Sequence, residues 1–185
     1  MTTDYEIMLQ QAEELVDGIP HFIANLANIS ALLYNTLEDI NWAGFYLREG
    51  DKLVLGPFQG KPACIEIAAG KGVCGTALAR DQIQRIENVH EFKGHIACDS
   101  ASNSEIVIPI HGKKIQTVYI GAGNPVDATG SSSFNSAHDV KDGAREVVAV
   151  LDIDSTSFGR FSSDDEEGLL QLVRLLEDKV FSSRE

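Results

Sequence analysis

Glu146-Val147-Val148-Ala149-Val150-Leu151-Asp152-Ile153-Asp154 is the stretch that decides the fold. It is a strong β run, and strand alternation puts Asp152 and Asp154 on one face, opposite Leu151 and Ile153. A second run, Ser104-Glu105-Ile106-Val107-Ile108-Pro109-Ile110, puts Ile106, Ile108 and Ile110 on one face and Glu105 with Val107 on the other. Residues 40–47, Ile-Asn-Trp-Ala-Gly-Phe-Tyr-Leu, predict a third strand, which turns at Arg48-Glu49-Gly50-Asp51 and returns as Lys52–Leu55. Shorter strands are predicted at 65–68 and 83–86. Between them, the glycine-rich stretch 70–77 opens a helix ending near Arg80. Residues 88–103 form a long polar loop that carries Cys98.

Helices bracket these strands. Tyr5, Met8, Leu9, Ala12, Leu15 and Val16 recur at helical spacing, with Thr3 and Glu6 as a capping box and Asp17-Gly18 with Pro20 as a stop. A second helix runs to about Tyr34 on a stripe of Phe22, Leu26, Ile29 and Leu33. Ile23, Ala31 and Leu32 widen that stripe and predict a well-buried helix. The last helix starts at Ser163, with Asp164 to Glu167 on its positive dipole end and Leu169, Leu172, Val173, Leu176 and Val180 facing inward. Short hairpin connections favour an α+β fold, an antiparallel sheet with helices against it. No internal repeat is present.

Residues 121–144 differ from the rest. They hold four Gly, four Ser and one Pro, and Val126, Phe134 and Val140 are their only larger apolar residues. The expectation is a polar surface insertion, at about 111–146, in a single domain spanning 1–185; a lid over the site is the alternative.

The charge balance narrows the function classes. Fifteen Lys and Arg against 28 Asp and Glu give a net charge of −13, with no basic run, which argues against nucleic acid and anionic lipid as partners. No apolar stretch approaches the roughly 20 residues of a membrane span, and the N-terminus shows no secretory pattern. A cytoplasmic, reducing setting is the expectation. The three cysteines, an odd number, suit working thiols better than a disulfide framework.

Cys64, Cys74 and Cys98 are spaced C-x9-C-x23-C, without the C-x2-C of a zinc knuckle, and no metal site is assigned. Cys74, beside Val73 at the start of an apolar helix, suits a buried inert thiol. Cys64 and Cys98 lie in loops and suit a pair that closes a transient disulfide. Glu105, Asp152 and Asp154 have two readings. They are the wet face of a sheet, or acids close enough to raise one another's pKa and prepare a proton donor. Trp42, Gly44 and Tyr46 share a face, and the bare Gly44 predicts a slot between two rings for a small ligand; packing of both rings under a helix is the alternative. Gly70-Lys71-Gly72-Val73-Cys74-Gly75-Thr76 lacks G-x4-G-K-[ST], so nucleotide hydrolysis is not expected.

These pieces together resemble one family. Asn41-Trp42-Ala43-Gly44-Phe45-Tyr46, Gly56-Pro57-Phe58-Gln59-Gly60, Gly70-Lys71-Gly72-Val73-Cys74-Gly75, Gly94-His95-Ile96-Ala97-Cys98-Asp99, Ser104-Glu105-Ile106-Val107-Ile108-Pro109 and Leu151-Asp152-Ile153-Asp154-Ser155 look like the free methionine-(R)-sulfoxide reductases, built on the GAF domain. The match covers nearly the whole chain except 111–146, where the family has a shorter loop. The resemblance implies a six-stranded antiparallel sheet flanked by helices, often paired as a homodimer. It implies reduction of the R epimer of free methionine sulfoxide, with no cofactor. Cys98 would be the nucleophile, Cys64 its disulfide partner, and Cys74 a third cysteine considered for both jobs. Glu105, Asp152 and Asp154 would line the pocket, Trp42 and Tyr46 would wall it, and backbone N–H groups near Ile96, Ala97 and Cys98 would take the substrate carboxylate. Thioredoxin would be the external dithiol. The competing reading is a non-catalytic GAF-type small-molecule sensor, against which stands the retention of all three cysteines.

Overall fold

The computed structural model describes residues 4–94, 100–112 and 145–182. Ile96, Ala97 and Cys98 lie outside these residues, as do Thr3 and the whole of 121–144.

The chain runs α1 (Tyr5–Val16), α2 (Phe22–Thr36), β1 (Trp42–Glu49), β2 (Lys52–Gly60), β3 (Glu66–Ala68), α3 (Gly72–Arg80), β4 (Gln84–Ile86), a 3-10 turn (Val89–Glu91), β5 (Ser104–Gly112), β6 (Glu146–Ser155) and α4 (Ser163–Lys179). The strands form one six-stranded sheet in the order β3-β2-β1-β6-β5-β4, with every neighbouring pair antiparallel. Every predicted element is present. β2 extends five residues beyond the expected Leu55, and His111, Gly112 and Glu146 belong to strands rather than to the insertion.

Alternation along the strands divides the molecule into two layers. Ala43, Phe45, Ile106, Ile108, Ile110, Leu151 and Ile153 face α1, α2 and α4 in the larger core. Met8, Ala12 and Val16 on α1 and Leu26, Ile29 and Leu33 on α2 are fully buried there, each large side chain contributing about 1.5–3 kcal/mol of transfer free energy. The stripe on α2 is narrower than predicted. Ile23 is 60% exposed, so it does not widen the buried face. The cap of α1 also differs, because the Asp4 side chain accepts from the Ile7 N–H. α4 begins as expected at Ser163, behind a capping box between Ser162 and Asp165.

The opposite face of the sheet is covered by α3. Val73, Cys74, Ala77 and Leu78 pack there with Trp42, Tyr46, Leu53, Val107 and Val150. Gly75 makes the close approach possible, since a Cβ at that position would lie 2.3 Å from the Ala68 carbonyl oxygen. No helix among the described residues is long and apolar enough to cross a membrane.

Candidate active site

The α3 face of the sheet brings the expected acids together at one end. β6 lies between β1 and β5, and its register aligns two cross-strand rows. Glu105 pairs with Asp154 and Asp154 with Trp42; Val107 pairs with Asp152 and Asp152 with Gly44. Paired residues of antiparallel strands share a face, so both acids of β6, Glu105 and the aromatic strand meet on one surface.

That surface is not wet. Glu105 and Asp152 are each 6% exposed, and Asp154 is half-buried. The Cys74 thiol, in the first turn of α3, lies 3.8 Å from Glu105 Oε1 and donates to it. Cys74, Glu105 and Asp152 bring donor atoms within 4.8 Å of one another, the grouping among the described residues that could hold a metal ion.

Burial governs the protonation of this group. It raises Glu105 well above the usual carboxylate range, with the charges of Asp152 and Asp154 adding to the effect. It raises Asp152 to about 6, against hydrogen bonds with Cys74 and Glu105 that pull it down. Burial likewise pushes the Cys74 thiol up, reinforced by Asp152 and Glu105. A cysteine at a helix N-terminus would ordinarily favour the thiolate; here burial, with the neighbouring acids, overrules the helix. Among the described residues the buried Asp152 Oδ1 has no hydrogen-bond partner, so one acceptor is left uncompensated.

The aromatic slot does not form as predicted. Phe58 of β2 pairs with Gly44 across the sheet, and a Cβ at Gly44 would sit 2.4 Å from the Phe58 Cβ. The bare glycine therefore admits the neighbouring strand's residue. Trp42 stacks on Phe58 at 5.2 Å and on Tyr46 at 5.9 Å between centroids. Phe58 stood in a quoted motif without a role. A strand's own alternation does not say which side chain crosses from the next strand, so only cross-strand register could have found it.

Of the cysteines, Cys64 is disulfide-bonded and Cys74 is a free, buried thiol. Cys64 lies in the connection between β2 and β3. The buried-thiol reading of Cys74 therefore holds for its burial and free state, although its surroundings include two acids.

The chain is 51% identical to the free methionine-R-sulfoxide reductase of Escherichia coli, over 95% of this chain and 88% of that one. It belongs to the free methionine-R-sulfoxide reductase family. The fRMsr of Staphylococcus aureus, solved in complex with substrate, superposes on it with a TM-score of 0.75 at 40% identity, covering 97% of both chains. A solved GAF domain matches with a TM-score of 0.74 at 36% identity, over 95% of this chain and 86% of that chain, and the fold here is the α+β GAF fold. No protein-family model matches the chain. The chain is therefore an enzyme, a free methionine-R-sulfoxide reductase.

Proposed function

We propose that this chain reduces free L-methionine (R)-S-oxide to L-methionine, with Cys98 as nucleophile and Cys64 as resolving cysteine. The observation that carries the reading is the buried Glu105–Asp152 pair, whose raised pKa values keep a carboxylic acid available near neutral pH.

The Cys98 sulfur attacks the sulfoxide sulfur while a carboxylic acid of the cluster protonates the oxygen. Oxygen passes to the cysteine, which becomes a sulfenic acid, and methionine leaves with its sulfur reduced. The Cys64 thiol then attacks the sulfenic sulfur, an S–S bond forms, the S–O bond breaks and water departs. A dithiol of the thioredoxin class reduces the disulfide by exchange. The disulfide-bonded state of Cys64 and the free, proton-retaining thiol of Cys74 support Cys64 over Cys74 as the resolving residue.

Free methionine sulfoxide also carries an ammonium and a carboxylate. Asp154, half-buried at the pocket end of β6, suits the ammonium, and Asp152 Oδ1 is a further acceptor without a partner. Backbone N–H groups at Ile96 and Ala97 would take the carboxylate, and the Trp42 indole would meet the S-methyl group. Pairing of two copies through the helices draws support from Ile7, Leu15, Ile19 and Ile23, which stand exposed on and between α1 and α2. A cytoplasmic location fits a cycle that needs a reducing dithiol pool.

The test is a single turnover with the separate R and S epimers and no reductant. Wild type should release about one methionine per chain from the R epimer alone, and Cys98→Ser none. Cys64→Ser should release the first methionine but stall with thioredoxin. Methionine from Cys98→Ser would remove it as nucleophile. Thioredoxin-driven turnover by Cys64→Ser at the wild-type rate would hand resolution to Cys74. Binding of the sulfoxide without any turnover would favour the sensor.

A further inference from the structure

The connection that carries Cys64 is held at both ends by side chains of one strand. β2 ends at Gly60, and residues 61–65 cross irregularly to β3. At the start of this crossing, the Trp42 indole N–H donates to the Lys61 carbonyl at 3.1 Å. Next to β3, the Tyr46 hydroxyl donates to the Cys64 carbonyl at 3.1 Å. Just beyond Cys64, the Leu55 N–H bonds to the Ile65 carbonyl at 2.9 Å.

Both anchors are rigid. Trp42 is 3% and Tyr46 1% exposed, and the indole stacks on both Phe58 and Tyr46. Burial, with the negative charge of Asp152 close by, holds the phenol protonated far beyond neutral pH. The hydroxyl therefore remains a donor, and its single proton is committed to the Cys64 carbonyl.

We propose that Tyr46 and Trp42 are positioning residues for Cys64: their hydrogen bonds fix the 61–64 crossing so that the resolving thiol is held where it meets the sulfenic sulfur. The proposal rests on the assignment of Cys64 as the resolving cysteine. Disulfide closure within one chain depends on the effective concentration of the attacking thiol, which falls when its segment is free to wander. The strand that walls the pocket thus also sets the residue that ends the catalytic cycle. No electron source is added: the Cys64 thiol loses its proton and joins the sulfenic sulfur, and water carries off the oxygen.

Tyr46→Phe removes the hydroxyl and keeps the ring. In a reductant-free single turnover, methionine release is followed by quenching, and closure by the loss of dimedone-reactive sulfenic acid. The closure rate should fall about three- to tenfold further than the release rate, the kinetic equivalent of one hydrogen bond. Trp42→Phe, which keeps a ring against Phe58, should move the same ratio in the same direction. Equilibration with glutathione buffers gives a readout without substrate, in which the effective concentration of the Cys64 thiol should drop by a similar factor. Closure keeping pace with release in both variants, together with an unaltered glutathione equilibrium, overturns the proposal. If Tyr46→Phe does not fold, Trp42→Phe carries the decision. A wild type that forms no methionine refutes the reductase reading instead, and leaves the glutathione equilibrium to judge the positioning.

Discussion

Asp152 and Asp165 are buried to nearly the same degree, 6% and 8% exposed, and the molecule treats them oppositely. Asp165, at the start of α4, accepts from the Tyr5 hydroxyl at 2.6 Å, from the Arg160 guanidinium at 3.0 Å and from the Ser162 N–H at 2.8 Å. Burial works to raise it, yet these partners prevail and its pKa falls. Asp152 shares its space with Glu105 and Cys74, and among the described residues it has no cation beside it and one oxygen without a hydrogen-bond partner. Burial prevails there, and the pKa rises to about 6. The first carboxylate closes a corner of the fold. The second is held at a cost that only a reaction or a bound cation would use.

The comparison breaks most visibly at the acid pair. Glu105→Gln and Asp152→Asn keep shape and remove the acid. The one that donates the proton should lower kcat by about 10²–10⁴-fold. Wild-type kinetics in both variants would show that the buried pair takes no part. Stability should move the other way for Asp152. A carboxylate with a raised folded pKa favours the folded state while protonated, and that contribution is lost as pH rises from 3.8 through about 6. Asp152→Asn should therefore gain stability over wild type at pH 7 and little at pH 4, measured by urea denaturation at both. A variant no more stable at pH 7 would mean that the ionised site is already well satisfied.

Asp165 gives the contrasting outcome. Asp165→Ala removes half of the capping box and leaves Arg160 and Tyr5 without their acceptor. The expected loss is about 2–4 kcal/mol, between a lost cap and a broken buried ion pair, with kcat of the folded enzyme unaffected. Because this pKa is lowered, the stabilisation is present above the ordinary value of 3.8 and lost as pH falls through the lower folded value. Denaturation curves should show the difference from wild type shrinking only at strongly acid pH. A difference that shrinks near pH 6 instead would move the effect to another group.

The two aspartates also mark how far the sequence carries. Alternation separated Ile106, Ile108 and Ile110 from Glu105 and Val107, and Leu151 and Ile153 from Asp152, because a strand's period belongs to its own residues. The same period placed Trp42 and Tyr46 correctly and then misjudged Gly44, because Phe58 enters from a neighbouring strand. Helical spacing found the core stripe of α2 but not its edge, which depends on what lies opposite; Ile23 is left 60% exposed. The acid run opening α4 was legible as a helix start. The Tyr5–Asp165 bond, which joins residues 160 positions apart, was not. Whether two acids in a row on one sheet face are wet or buried is decided by α3, a helix from another part of the chain.

The smallest expected effect lies at the opposite end of β5. His111 follows a register shift and bonds in both directions: its Nδ1 and backbone N–H meet Glu177 Oε1 of α4 at 2.9 and 2.7 Å, and its Nε2 meets Asp81 Oδ1, after α3, at 2.7 Å. A neutral imidazole has one N–H and can donate to only one of these carboxylates; serving both requires the cation. Burial opposes that charge, but the hydrogen bonds to Glu177 and Asp81 outweigh it and the pKa is raised. This is the Asp165 arrangement with the signs exchanged, a charged group kept by its partners. A raised histidine contributes stability that is complete below its ordinary value of 6.5 and lost as pH rises through the higher folded value. His111→Gln should therefore be less stable than wild type at pH 6, by about 1 kcal/mol or less because the side chains of His111 and Asp81 are 30% and 56% exposed. The gap should narrow by pH 9. A gap of constant size across that range would show that the neutral ring suffices, and that β5 is tied to α3 and α4 by packing rather than by charge.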